Sequence, residues 1–289
     1  MHPPPLGSWQ LPKIHQNNNI MSYGSNAAAQ RLQGKVILIT GASAGIGEQT
    51  ALDFAEASNG EIKLILTARR QEKLDALKST LENQYPKIKV YISKLDVSDL
   101  KDIDDFFEQL PTEYSEIDIL VNNAGKAQGL DQIGDIRQVD VNTMFDTNVI
   151  GMISITQKVL QGMKERNRGD IVQLGSIAGR DPYPGGGIYC ATKAALRSFS
   201  HSLRKELIST KIRVIEIDPG NVETEFSNVR FFGDKERAKK VYEGTEPLVA
   251  KDISDLIVFT TTRRENTVIA ETLIFSTNQA SASHLYRQT

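Results

Sequence analysis

The chain has 289 residues, 39% of them hydrophobic and 24% charged, which is apolar material enough for one substantial core and excludes a largely disordered chain. Its 34 basic and 36 acidic residues leave a net charge of -2, too nearly balanced for the electrostatic footprint of a nucleic-acid or anionic-membrane binder. Cys190 is the only cysteine, so neither an intramolecular disulfide nor a multi-cysteine metal site can form, no metal is expected, and a reducing, cytoplasmic setting fits.

Residues 1–30 carry neither the cationic start nor the apolar stretch of a secretory signal and are expected to form a loose arm ahead of one domain over 31–289. The longest apolar runs, such as 36–39 and 62–66, fall far short of the roughly 20 residues that span a bilayer, so no membrane segment is expected. From Gly34 onward, short β-branched or apolar runs alternate with helical patterns. Strands are expected at 35–40, 62–67, 89–93, 117–121, 170–174, 212–217 and 268–275. Between them Leu74, Leu77 and Leu81 recur at helical spacing, as do Leu196, Phe199, Leu203 and Leu207, and these stripes should face the sheet. The pattern predicts an α/β fold: a doubly wound, seven-stranded parallel sheet with helices on both faces. The irregular stretch 220–245, between the sixth and seventh strands, has the length and place of a substrate lid.

The first strand runs into Thr40-Gly41-Ala42-Ser43-Ala44-Gly45-Ile46-Gly47, followed by the helical run 48–57. Strand, glycine-rich turn and helix in that order make a pyrophosphate cradle. Glycine admits positive φ and a close approach of the main chain, and the helix start presents unpaired N–H groups and the positive end of its dipole. The second strand ends in Ala68-Arg69-Arg70, with no acidic residue to accept from a ribose 2′-hydroxyl. Two solvated arginines are the plainer reading. Cations at a helix N-terminus oppose its dipole, however, and two guanidiniums with Ser43 beside them suit the 2′-phosphate of NADP. NADP(H) is therefore the expected cofactor.

Tyr189 and Lys193 stand four residues apart in a helical pattern, so both side chains project from one face, one turn apart. Ser176 follows the fifth strand, Asn148 lies in the preceding helical pattern, and Asn122-Asn123-Ala124-Gly125 closes the fourth strand. Reducing a carbonyl takes a hydride on carbon and a proton on oxygen, so the site needs an acid that becomes a base in reverse. A tyrosine ordinarily ionises near pH ~10, and a Lys193 ammonium beside it is expected to lower that value.

Together and in this order the motifs resemble the short-chain dehydrogenase/reductase family, with its Rossmann-type sheet, over residues 35 to about 280. The resemblance implies Tyr189 as acid/base, Lys193 also on the nicotinamide ribose, Ser176 donating to the substrate oxygen, and Asn148 holding a water that links the lysine to solvent. It further implies that the turn residues Gly41, Ser43, Gly45, Ile46 and Gly47, with Arg69 and Arg70, bind the cofactor. Asp96 and Val97 would contact the adenine, and Asn123, Ala124 and Gly125 would line the cofactor. Pro219, Gly220, Val222 and Thr224 would meet the nicotinamide amide, and Asn122 would stabilise the central strands. Cys190 points about 100° around the helix from Tyr189 and is expected to pack. A homotetramer is also implied, with the polar tail 281–289 reaching a neighbouring subunit.

The stretches 123–127, 175–180, 224–231 and 277–281 resemble more narrowly the NADP-dependent 3-hydroxy acid dehydrogenases that act on serine and allo-threonine, the fungal ones above all. A 3-hydroxy acid carries a carboxylate, so a cation should wait beside the nicotinamide. Arg230, Arg180 and Lys126 are the candidates, and Arg230 is preferred for its place in the lid. The reaction implied is reversible oxidation of the 3-hydroxyl of L-serine, L-allo-threonine or 3-hydroxyisobutyrate. A broad NADPH-dependent carbonyl reductase would share every catalytic residue and differ only in its pocket.

Overall fold

Residues 25–288 are described by a computed structural model, and in them the alternation of the sequence becomes one parallel sheet between two layers of helices. Helix α1 (Ser25–Leu32) leads into β1 (Val36–Thr40), α2 (Gly45–Ala57), β2 (Lys63–Ala68), α3 (Gln71–Gln84), β3 (Lys89–Lys94), α4 (Leu100–Gln109) and β4 (Ile119–Asn122). The second half runs through α5 (Gln138–Phe145), a π-helical turn at Asp146–Gly151, α6 (Met152–Arg166), β5 (Gly169–Leu174), α7 (Gly187–Glu206) and β6 (Ile212–Pro219). The lid then supplies β7 (Val222–Glu223), α8 (Phe226–Arg230), α9 (Lys235–Lys240) and β8 (Leu248–Val249), before α10 (Ala250–Thr261) and β9 (Glu271–Ile274).

The sheet order is β3-β2-β1-β4-β5-β6-β9, every neighbouring pair parallel. Strand β1 reads Val-Ile-Leu-Ile-Thr and is buried at all five positions, as a strand covered on both faces must be. Its odd-numbered residues Ile37 and Ile39 join a core with Phe54 of α2, Leu74 of α3 and Ile257 of α10. Its even-numbered Val36 and Leu38 join a second core with Ile103 of α4, Ile155 of α6 and Leu203 of α7. Full burial of such a side chain contributes about 1.5–3 kcal/mol. Chain order reverses between β1 and β4, and the crevice at the carboxyl ends of those strands is where ligands bind in open sheets of this kind.

Two boundaries differ from expectation. Most of the expected loose arm, residues 1–24, lies outside the described residues, but its end is helix: Ala27, Ala28 and Ala29 favour α1, Leu32 is fully buried, and Arg31 Nη1 donates to Thr262 O at 2.5 Å. The last strand is shorter than 268–275, since Val268 is 42% exposed and pairing with β6 begins at Glu271. The expected lid is present as β7, α8, α9 and β8, with β7 and β8 paired to each other. Among the described residues no helix is long and apolar enough to cross a membrane, and no group of His, Cys, Asp or Glu could hold a metal ion.

Candidate active site

The glycine turn is shaped for a ligand and held from behind. Gly41 and Gly45 have φ of 68° and 58°, in the left-handed region that glycine adopts freely, and a Cβ on Gly47 would lie 2.5 Å from Gly41 O. Asn123 Nδ2 donates to Thr40 O at 2.8 Å and Gly41 O at 3.2 Å, while Thr40 Oγ1 accepts the amides of Asn123 and Ala124 at 3.1 and 3.0 Å. The ends of β1 and β4 are thus laced together, and the main chain of the turn is left facing a cleft of about 480 Å³. Ser43, Ile46, Asp96, Val97, Ala124 and Gly125 line the same cleft, as do Pro219, Gly220, Val222 and Thr224.

At its outer end stand Arg69, exposed, and Arg70, whose Nε and Nη2 donate to Ser43 Oγ at 3.3 and 3.1 Å. Arg70 Nη1 pairs with Glu225 Oε2 of the lid at 2.9 Å. This donor set and the glycine cradle fit a dinucleotide carrying a 2′-phosphate. Lys126 belongs to this end as well: burial, then the charge of Arg69, lowers its pKa, with Asp96 acting against them. Lys126 lines the same cleft as Tyr189 and Ser176, and its main chain is bonded to Asn148.

At the inner end α7 presents Tyr189 and Lys193 to the cleft together with Ser176. Lys193 is 7% exposed, its Nζ donates to Leu174 O at 2.6 Å and stands 5.9 Å from the Tyr189 ring centroid. Burial lowers Lys193 to about 8, with Asp218 and Glu216 opposing the fall. The Tyr189 phenol is raised, not lowered: burial dominates and Tyr183 adds to it, while Ser176 and Arg230 pull the other way. The expected lowering by Lys193 is outweighed by burial of the phenol itself, and the Lys193 ammonium is turned onto the Leu174 carbonyl. Asn148 sits in the π-helical turn rather than in regular helix, 2% exposed. Its Oδ1 accepts from Lys126 N at 2.9 Å, and its Nδ2 donates to Lys126 O at 2.8 Å and Thr192 Oγ1 at 3.0 Å. A Cβ built on Gly125 would stand 3.4 Å from Asn148 Oδ1 and 3.8 Å from Lys193 Nζ, so the three positions share one small space.

The lid covers Tyr189. The Phe226 ring lies 5.7 Å from the tyrosine ring, and the Arg230 guanidinium lies 5.8 Å from it over a narrow pocket that adjoins the cleft at Tyr189. Arg230 Nη1 donates to Tyr183 Oη at 2.9 Å and Nε to Gly129 O at 3.2 Å, whereas Nη2 is buried with no partner.

Residues 35–232 match the family described as short chain dehydrogenase. The chain belongs to that family. A relative from Schizosaccharomyces pombe, an NADP-dependent 3-hydroxy acid dehydrogenase, is 52% identical over 258 residues, 89% of this chain and 98% of its own. The NADP-dependent 3-hydroxy acid dehydrogenase YdfG of Salmonella typhi is 47% identical over 77% of this chain and 87% of its own. A solved closed form of serine dehydrogenase complexed with NADP+ superposes with a TM-score of 0.80 at 42% identity, covering 87% of this chain and 99% of that one.

Two further placements in this short chain dehydrogenase bear on the sequence reading. Arg180 does not line the cleft: its Nε donates to Asp218 Oδ2 and its Nη2 to Glu271 Oε2, each at 2.6 Å. A guanidinium committed to two carboxylates is not free for a substrate, so that candidate is corrected. Tyr183, which orients Arg230, and Asp218, which accepts the Ser176 amide at 3.0 Å, were not singled out from sequence. Neither belongs to a local motif. The only signal at Asp218 was its place at the end of β6, on the same face as Glu216. Cys190 is 4% exposed and packs as expected, and Asn122 Nδ2 ties β4 to α6 through Thr156 Oγ1 at 2.8 Å.

Proposed function

We propose that this enzyme uses NADP(H) to oxidise, reversibly, the 3-hydroxyl of short 3-hydroxy acids such as L-serine, L-allo-threonine and 3-hydroxyisobutyrate, with Tyr189 as acid/base. The observation that carries the reading is Arg230, a lid guanidinium beside the Tyr189 ring with one buried nitrogen unpaired. Such a donor is costly to leave unsatisfied and matches a carboxylate. Bound NADP supplies the acceptor or donor of the hydride. In oxidation Tyr189 takes the 3-hydroxyl proton; in reduction it returns a proton to the carbonyl oxygen. Ser176 Oγ donates to that oxygen as charge develops, and the Lys193 ammonium favours the phenolate. Asn148, held by Lys126 and Thr192, fixes the back of the lysine's space.

The test is a panel of 3-hydroxy acids and neutral ketones, assayed with NADP and NAD. Arg230→Ala lowers kcat/KM for hydroxy acids roughly 10- to 100-fold, the worth of a charge-assisted hydrogen bond, and leaves neutral ketones nearly unaffected. Equal losses on both classes, or turnover of ketones alone, would favour the broad carbonyl reductase instead. We also infer a homotetramer, which light scattering on the purified protein checks.

A further inference from the structure

On the sheet face under α6 and α7, strands β5 and β6 begin apolar and end polar. Ile171, Ile212 and Val214 enter the core there. Further along the same face stand Gln173, Glu216 and Asp218, at 0%, 0% and 1% exposure. Strand register sets Gln173 beside Glu216 and Glu216 beside Glu271. Buried carboxylates are costly even when paired, and a sheet selected for stability alone would continue in Val and Ile. The polar row instead ends under Ser176 and Lys193, where the site is built.

Each member of the row has a defined state. Asp218 Oδ1 accepts the Ser176 amide at 3.0 Å and Oδ2 accepts Arg180 Nε at 2.6 Å, so it is a paired carboxylate. A Cβ on Gly175 would fall 1.8 Å from Oδ1, so Asp218 fills the space a side chain there would take. Glu271 is ringed by the guanidiniums of Arg180 at 2.6 Å, Arg197 at 3.3 Å and Arg204 at 3.6 Å, with His201 Nε2 at 2.6 Å. Glu216 has no donor on either oxygen. Burial, then the charges of Asp218 and Glu271, push it up to about 8, with Arg180 opposing. Burial and the two neighbouring carboxylates thus favour the protonated form of Glu216.

We propose that Asp218 is a positioning residue for the dehydrogenase reaction: its buried charge, shared with the proton-bearing Glu216, fixes the Ser176 main chain and holds Lys193 as an ammonium beside Tyr189. The proposal rests on Tyr189 and Lys193 being the acid/base pair. The charged and titratable groups that face this cluster are Lys193, Arg197, His201 and Arg204 from α7, Arg180 from the turn after β5, and Glu271 from β9. Tyr183 and Arg230 face Tyr189 from the far side.

Asp218→Asn keeps the shape and an acceptor for the Ser176 amide but removes the charge. With the Asp218 charge removed the ammonium is less favoured, Glu216 being the weaker influence on it, so the alkaline limb of the oxidation profile moves to lower pH by roughly half a unit or more. The turnover number falls roughly tenfold, while KM for NADP stays within about twofold. The profile is recorded with whichever substrate class the wild type turns over, hydroxy acid or neutral carbonyl, so an error about substrate does not affect it. Tyr189→Phe runs alongside: retained activity in that variant would defeat the acid/base assignment itself. With Tyr189→Phe inactive, an Asp218→Asn profile that superposes on the wild type overturns the positioning role alone. Should Asp218→Asn not fold, infrared spectra of the wild-type protein decide. A protonated-carboxyl stretch at neutral pH that Glu216→Gln lacks upholds the shared charge, and its absence from the wild type refutes it.

Discussion

Lys193 works against the fold that carries it. Burial holds it at about 8, against 10.5 for a free lysine, so between those values the unfolded chain binds the proton more tightly. Stability drawn from this residue is present above pH 10.5 and lost as pH falls through 8. Lys193→Met is accordingly expected to melt a few degrees above the wild type at pH 7 without cofactor, with the gap closing by pH 10. Thermal melts across that range check it, and a gap that does not narrow with pH would show that the lysine is not desolvated in the fold. The same variant should lose activity, and Tyr189→Phe should cost about 10²- to 10⁴-fold in kcat, the usual contribution of a positioned acid/base.

Elements set what a side chain can reach, and the first βα unit shows it. Arg70 caps the end of β2, bonds to Ser43 on the glycine turn and pairs with Glu225 of the lid, an ion pair in which both side chains are more than 40% exposed. A pair so exposed adds little stability, and the guanidinium is free to exchange Glu225 for a phosphate. Arg70→Ala should therefore weaken NADP by roughly tenfold or more and leave NAD nearly unchanged, read by titrating each cofactor. Gly47→Ala should abolish binding of both, since its Cβ would displace Gly41 O. These features were legible in the sequence because they are local: a turn between one strand and one helix, or two residues one helical turn apart. What was not legible lies across strands. The bond from Ser176 to Asp218 joins residues 42 apart, and the bond from Arg230 to Tyr183 joins residues 47 apart. Alternation along β6 gives the face of Glu216 and Asp218, but their neighbours follow from the register with β5 and β9. Arg180 misled for a related reason, because a cation in a loop carries no local sign of which carboxylate it will meet.

Across the whole molecule, the C-terminal segment closes the structure on itself. Gln279 Oε1 accepts the Asn221 amide at 2.8 Å at the foot of the lid, and its Nε2 donates to Ser281 O at 3.0 Å. Farther on, Arg287 Nη2 donates to Val241 O at 3.1 Å, Arg287 Nη1 to Glu243 O, and the Gln288 amide to Gly244 O at 2.7 Å. The tail thus binds the lid of its own chain. Deleting residues 284–289 should leave the sheet intact and loosen the lid. Limited proteolysis is expected to cut within 231–245 several times faster than in the full chain, with thermal stability lowered only slightly. Cleavage at an unchanged rate would mean that α8 and α9 stand without the tail. The arrangement also orders events during synthesis. Six strands of the main sheet precede residue 220, so a growing chain can assemble most of the nucleotide seat while still attached to the ribosome. The cover over Tyr189 gains its last fastenings only when residues 279–288 emerge.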